Sequence, residues 1–160
     1  MTRRRRAPAG PRSSNSDRSW TLVQFDLSDD ELGYLLERGD TLYAVDEAGE
    51  RRVPAFRSRE AALSFVRDLD PNVDAMPNGG FYDLRAVEAF VDRRTSAPPP
   101  ASLDVWSLLG EVAAAARRGV PAFAHAALPM ITEMKSSLIE PLRTALASGL
   151  DVFRDVVVQR

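Results

Sequence analysis

The stretch TLYAVDEAGERRVPAFRSREAALSFVRDL, residues 41–69, is the unit around which the rest of the chain can be arranged. Its first residues favour a strand, and Gly49 marks a tight turn before a second strand at residues 52–56. Pro54 cannot donate to a sheet ladder, which predicts an edge position for that second strand. Ser58 then caps a helix whose apolar residues recur at helical spacing: Ala62, Phe65, Val66 and Leu69. We therefore predict a hairpin followed directly by an amphipathic helix.

The segment before this unit predicts one strand and one helix. Residues 20–27, WTLVQFDL, alternate as a strand does. Ser28 and Glu31 have capping-box spacing, and Gly39 suits the end of a helix. The apolar stripe of that helix would be Leu32, Leu35 and Leu36. Carboxylates around Ser28 could also hold a divalent cation, but capping accounts for them, so we expect no metal and no cofactor.

The second half of the chain predicts helices. Residues 81–94, FYDLRAVEAFVDRR, form one helix, and the proline-rich linker TSAPPPAS leads to another at residues 102–118, ended by Gly119. The tail predicts three further helical pieces, beginning at Pro121, Pro129 and Pro141.

The predicted fold class is α+β. It has a small, mainly antiparallel sheet of three to four strands covered by helices, with a helical C-terminal extension. We expect a disordered basic arm at residues 1–19, an α+β domain at residues 20–118 and the helical extension at residues 119–160.

Composition narrows the possible classes of protein. The 160 residues include no cysteine, which excludes disulfides, thiolate metal sites and cysteine nucleophiles. No apolar run reaches the roughly 18 residues that a membrane span needs, and no apolar segment of a secretory signal follows the basic start. We expect a cytoplasmic protein. Twenty arginines against one lysine indicate a GC-rich, bacterial genome.

The net charge of −2 conceals an uneven distribution. Residues 1–20 carry +5, residues 21–95 carry −7, and residues 96–160 are balanced. The basic arm contains a run of four arginines: Arg3, Arg4, Arg5 and Arg6. Clustered guanidinium groups bind nucleic-acid phosphates and release counterions, although such a run also serves as a solubilising tail. Both interpretations of the arm stay open.

Nothing in the sequence singles out a catalytic centre. His125 is the only histidine and lies in the apolar stretch AFAHAAL, which is typical of a packed core residue. No Gly-x-Ser-x-Gly elbow is present, and the pattern gives no reason to choose any two of the many carboxylates as an acid–base pair. We predict that the protein is not an enzyme.

Two stretches resemble known proteins. VPAFRSREAALSFV, within residues 41–69, resembles the N-terminal domain of SseB-type proteins, in which an edge strand leads into a serine-capped helix. Residues 82–113 resemble small bacterial cytoplasmic proteins of the immunity type, which neutralise a partner toxin. The matching residues are Tyr82, Asp83, Leu84, Leu103, Asp104, Trp106, Leu108, Leu109 and Gly110. Ser107 departs from the asparagine of that pattern.

These observations favour a non-catalytic protein-binding module. The resemblance implies an inhibitor that occludes a toxin, and an acidic surface would steer a basic partner. The predicted partner-binding residues are Asp29, Asp30, Glu31, Glu37, Asp68, Asp70 and Asp74. The alternatives are a nucleic-acid-associated protein that uses the arginine arm, and a subunit that docks into a larger assembly, or onto itself, through its C-terminal helices.

Overall fold

The computed structural model describes residues 19–27, 31–119 and 136–160, which form seven strands and four helices. The strands are β1 (Trp20–Leu27), β2 (Glu31–Arg38), β3 (Thr41–Leu42), β4 (Val45–Glu47), β5 (Glu50–Phe56), β6 (Asn78–Asp83) and β7 (Val157–Gln159). The helices are α1 (Arg59–Leu69), α2 (Leu84–Val91), α3 (Ser102–Ala115) and α4 (Ser136–Val156). The predicted mixture of strands and helices is confirmed.

The sheet is larger than predicted and not uniformly antiparallel. Its strand order is β4-β5-β2-β1-β6, while β3 pairs with β2 and β7 pairs with β5. Neighbours close in sequence pair antiparallel, but β6 runs parallel to β1 and β7 runs parallel to β5. The chain between β1 and β6, and the chain between β5 and β7, each include at least one helix. Parallel strands need a long connection of this kind.

The helix predicted after β1 is instead strand β2, paired with β1 from Trp20↔Arg38 to Leu27↔Glu31. The three leucines suggested a helical stripe, but Leu35 and Leu36 are fully buried on opposite faces of the sheet. A strand covered on both faces loses the alternation by which strands are recognised. Glycine is needed at position 33 of this strand because the Phe25 ring lies against its backbone. An added Cβ would be 2.2 Å from the nearest ring atom.

The hairpin and helix predicted at residues 41–69 are confirmed in outline. Ala48 and Gly49 form the β4–β5 turn with positive φ values of 50° and 80°, as a type I′ turn requires. Ser58 caps α1, since its hydroxyl accepts from the Ala61 N–H at 3.1 Å. The edge position predicted from Pro54 is wrong: the residue is buried, and β5 pairs with β2, β4 and β7.

Two apolar layers hold the sheet between helices. Helix α1 covers one face, where Leu22, Leu36 and Val66 are buried together. Helices α2, α3 and α4 cover the other face, around Leu35 and Val53. An aromatic contact joins the sheet to the helices on that side: Phe25 of β1 packs edge-to-face with Phe153 of α4 at a centroid distance of 5.2 Å.

The helix predicted at residues 81–94 begins later. Residues 81–83 belong to β6, and Asp83 caps α2 by accepting from the Ala86 N–H at 3.0 Å. Helix α3 begins at Ser102 as predicted and ends at Ala115. Gly80 precedes Phe81 with a φ of 147°, a conformation that L side chains rarely adopt.

The tail folds differently from the prediction. Pro141 lies inside α4 rather than at a helix start, while Pro121 and Pro129 lie outside the described residues. Helix α4 buries a stripe against α3 and the sheet, and β7 then extends the sheet beside β5. That stripe consists of Leu142, Leu146, Leu150, Phe153 and Val156. None of the helices within the described ranges combines the length and hydropathy of a membrane span.

Candidate functional site

The acidic residues predicted to bind a partner do not form one surface. Glu37 lies on β2 and interacts with Glu111 of α3, on the face of the sheet that carries α2, α3 and α4. Asp68 and Asp70 lie at the C-terminal end of α1, which packs on the opposite face, and Asp74 follows in the next loop. Glu31 begins β2, and Asp29 and Asp30 lie outside the described residues.

The acidic group at the end of α1 is partly organised by an arginine. Arg67 donates from Nε to the Val73 carbonyl and from Nη2 to the Asp74 carbonyl, both at 3.0 Å. Asp70 Oδ1 accepts from the Asn72 N–H at 3.4 Å. A guanidinium therefore lies within this group, and the bonds that it makes hold the loop in place.

A second group of carboxylates, which we call the acidic patch, lies on the other face of the sheet, and three of its members act on Tyr82. The acidic patch consists of Glu37, Asp40, Asp104 and Glu111. Strand β2 and the turn after it supply the first two residues, and α3 supplies the last two, which lie on the same face of the helix because seven positions separate them. Sequence alone did not join these residues, because Asp40 and Asp104 are 64 positions apart.

The pKa values show that these charges are close together and partly shielded from water. Burial raises the pKa of Glu37, and the charges of Glu111 and Asp40 raise it further. Partial burial of its carboxyl raises the pKa of Glu111. Burial also raises the pKa of Tyr82, and the nearby charges of Glu111, Glu37 and Asp104 add to that shift.

The acidic patch lacks the arginine partners that most other carboxylates have. Among the described residues, none of its four members forms an ion pair. Carboxylates elsewhere do pair with arginine: Asp46, Glu47, Glu50, Glu88, Asp92, Glu140, Asp151 and Asp155. The acidic patch thus concentrates uncompensated negative charge at one place on the surface.

The grooves found among the described residues are small. One, of about 250 Å³, borders the acidic patch and is lined by Asp40, Thr41, Leu42, Glu111, Ala114 and Ala115. Another, of about 170 Å³, lies beside α1 and includes Arg59 and Met76. Sites for small organic ligands usually enclose 300–1,000 Å³. Neither of these two grooves reaches that range.

A pair of carboxylates that sequence reasoning could not select lies where β1 and β6 end. Asp26 and Asp83 are register partners in this parallel pair, and Asp26 Oδ1 is buried without a hydrogen-bond partner among the described residues. Burial and then the charge of Asp83 raise the pKa of Asp26. Asp83 also caps α2, so this pair has a structural task in ending the parallel strands.

The remaining sequence predictions lie outside the described residues. Arg3, Arg4, Arg5, Arg6 and His125 belong to ranges that the structure does not describe. Within the described ranges, no group of three or more His, Cys, Asp or Glu is arranged to hold a metal ion. Comparison with known proteins found no matching family model, curated protein or solved structure.

Proposed function

We propose that this protein is a non-catalytic binding module that captures a basic partner protein through the acidic patch. The observation that carries the proposal is the acidic patch, whose four carboxylates have no compensating cation among the described residues. Leaving charges unpaired and partly desolvated is unfavourable in the free protein. A partner that brings arginine or lysine to this surface would remove that cost and bind.

The immunity-type resemblance implies the partner class: a basic toxin domain whose active surface becomes occluded. Several of the residues that carry this resemblance position the acidic patch. Asp104 belongs to it and Tyr82 lies beside it, and Trp106, Leu108 and Leu109 are buried side chains that fix α3 on the sheet. The proposed mechanism is electrostatic steering followed by steric blocking.

A capture experiment tests the proposal. Full-length protein would be immobilised and exposed to lysate of its native host at low salt, and the captured proteins identified by mass spectrometry. We expect a basic protein to bind, and the triple variant Glu37→Gln, Asp104→Asn, Glu111→Gln to lose it. The matched control is Asp68→Asn with Asp74→Asn, because these residues lie at the end of α1 on the other face. Equal capture by both variants would refute the proposal.

The same experiment separates the nucleic-acid alternative, which depends on Arg3, Arg4, Arg5 and Arg6. A variant without residues 1–18 should keep the protein partner under our proposal. If capture instead disappears with the arm, or when the lysate is treated with nucleases, the arm binds nucleic acid and the acidic patch is not the functional surface.

A further inference from the structure

Strand β6 is an edge of the sheet whose outer side is open. It ends the strand order next to β1, and no other strand in the described ranges pairs with it. Residues 78–81 are all exposed, including the Phe81 side chain at 55 %. Exposed edge strands present unpaired N–H and C=O groups that can pair with another chain, and proteins usually protect them.

The side chains along β6 differ between its two faces. Tyr82 faces α3 and the acidic patch, whereas Phe81, one residue away, points to the opposite face of the sheet. Gly79 and Gly80 add no side chains, and the Tyr82 ring lies next to Gly80, 3.6 Å from where its Cβ would be. A strand laid along this edge would therefore place alternate side chains beside carboxylates and beside an exposed aromatic ring.

The start of β6 is anchored to the rest of the fold. Arg59 of α1 donates a hydrogen bond to the Asn78 side chain, and the Leu22 N–H donates to the Pro77 carbonyl at 2.9 Å. An added strand would thus meet an edge fixed at one end by these bonds and at the other by the Asp83 cap of α2. The backbone of β6 is therefore already ordered in the free protein, which lowers the entropic cost of binding a partner strand.

We propose that the partner binds by adding a strand to the outer edge of β6, with arginine or lysine at alternate positions on the Tyr82 side, toward Asp104 and Glu111 of the acidic patch. This inference rests on the proposed function and names the binding mode. Backbone hydrogen bonds would supply affinity, and the alternation of basic and apolar side chains would supply specificity. Charge excludes a second copy as the occupant, because β6 against β6 would bring two acidic patches together.

Synthetic peptides test this mode on the full-length protein. The probe is a fluorescent seven-residue peptide of alternating arginine and valine, with binding followed by anisotropy. Two analogues carry the same charge but are N-methylated at every second residue, one along each edge of the peptide strand. We expect at least one analogue to bind at least about tenfold more weakly, since methylation removes the donors that pair with β6. Amide hydrogen exchange at residues 79–83 should slow in the complex with the parent peptide.

Matched variants and peptides define the outcomes that overturn the inference. Asp104→Asn and Glu111→Gln should each weaken the parent peptide about two- to fivefold, and Asp68→Asn should not. A glutamate–valine peptide should bind at least tenfold more weakly than the parent. Equal binding of the parent and both methylated analogues, equal binding of the acidic peptide, or no binding at all would each overturn strand addition.

A self-association measurement completes the test. Concentration-dependent dimers that the arginine–valine peptide dissociates would show that a second copy occupies the edge, and this too overturns the proposal. The two proposals fail separately. Lysate capture that needs the acidic patch, together with equal binding of the parent and methylated peptides, would leave the function standing and remove only the strand mode.

Discussion

Glu37 and Glu111 are held where their charged forms are disfavoured, and this is the residue-scale signature of the acidic patch. Burial raises the pKa of both carboxyls, and for Glu37 the neighbouring negative charges raise it further. Protonation of a carboxyl whose pKa is raised by folding favours the folded state. This contribution is fully present at a pH below the pKa of the same group in the unfolded chain. That contribution is lost as pH rises through the folded pKa, so the acidic patch weakens the fold at neutral pH.

The variant Glu111→Gln tests this linkage. Glutamine has the same shape but cannot ionise, so we expect a higher melting temperature than wild type at pH 7 and little difference at about pH 3, where glutamate is also neutral. Thermal unfolding followed by circular dichroism at both pH values measures the effect. Glu60→Gln, on the exposed side of α1, is the control and should change stability by less than about 0.5 kcal/mol at either pH. A lower melting temperature at pH 7 for Glu111→Gln would show that the carboxylate has a stabilising partner.

Residue types predicted local features well and spatial groupings poorly. Ser58 and Gly49 specified a cap and a turn through bonds and dihedral angles that involve only adjacent residues. The acidic patch depends on α3 crossing the sheet beside β2 and β6, which no local pattern encodes. The predicted acidic surface therefore merged residues from opposite faces of the sheet and missed Asp40, Asp104 and Glu111.

At the scale of elements, the wrong prediction of a helix at β2 follows from burial of this strand on both faces of the sheet. Strand β2 was predicted as a helix because leucines occur on both of its sides, each side packing against a different core. Strand β7 was not predicted, because Val157 and Val158 continue the apolar pattern of the preceding helix α4. Its pairing with Val53, Pro54 and Ala55, about 100 positions earlier in the chain, is what makes it a strand.

The ion pair between α2 and α4 provides an element-scale prediction. Arg154 of α4 binds Glu88 of α2, whose side chain is only 4 % exposed. Arg154→Gln removes this ion pair from a buried carboxylate, and we expect a loss of about 2 kcal/mol in the free energy of unfolding at pH 7. Urea denaturation measures it. The control is Arg94→Gln, because the Arg94–Asp92 pair is more than half exposed on both sides and should be worth less than about 1 kcal/mol. Equal losses for the two variants would contradict the role assigned to the α2–α4 pair.

For the whole molecule, the described parts have an uneven distribution of paired and unpaired charge. Arginines neutralise the carboxylates around β4, β5 and α4, as in the pairs Arg118–Asp155 and Arg51–Asp46. The acidic patch, where β2 and the turn after it lie beside α3, has no such partners in the described ranges. A fold that compensates charge in one region and leaves it exposed in another is suited to attract a cationic surface to a defined place.

The central claim is that the acidic patch steers a basic partner to this protein, and the association rate constant tests it most directly. Stopped-flow mixing of the full-length protein with the captured partner would be measured from low to high salt. We predict that the triple variant Glu37→Gln, Asp104→Asn, Glu111→Gln associates at least about tenfold more slowly at low salt and loses most of the salt dependence, while Asp68→Asn with Asp74→Asn behaves as wild type. Equal rates and equal salt dependence for both variants would contradict the claim.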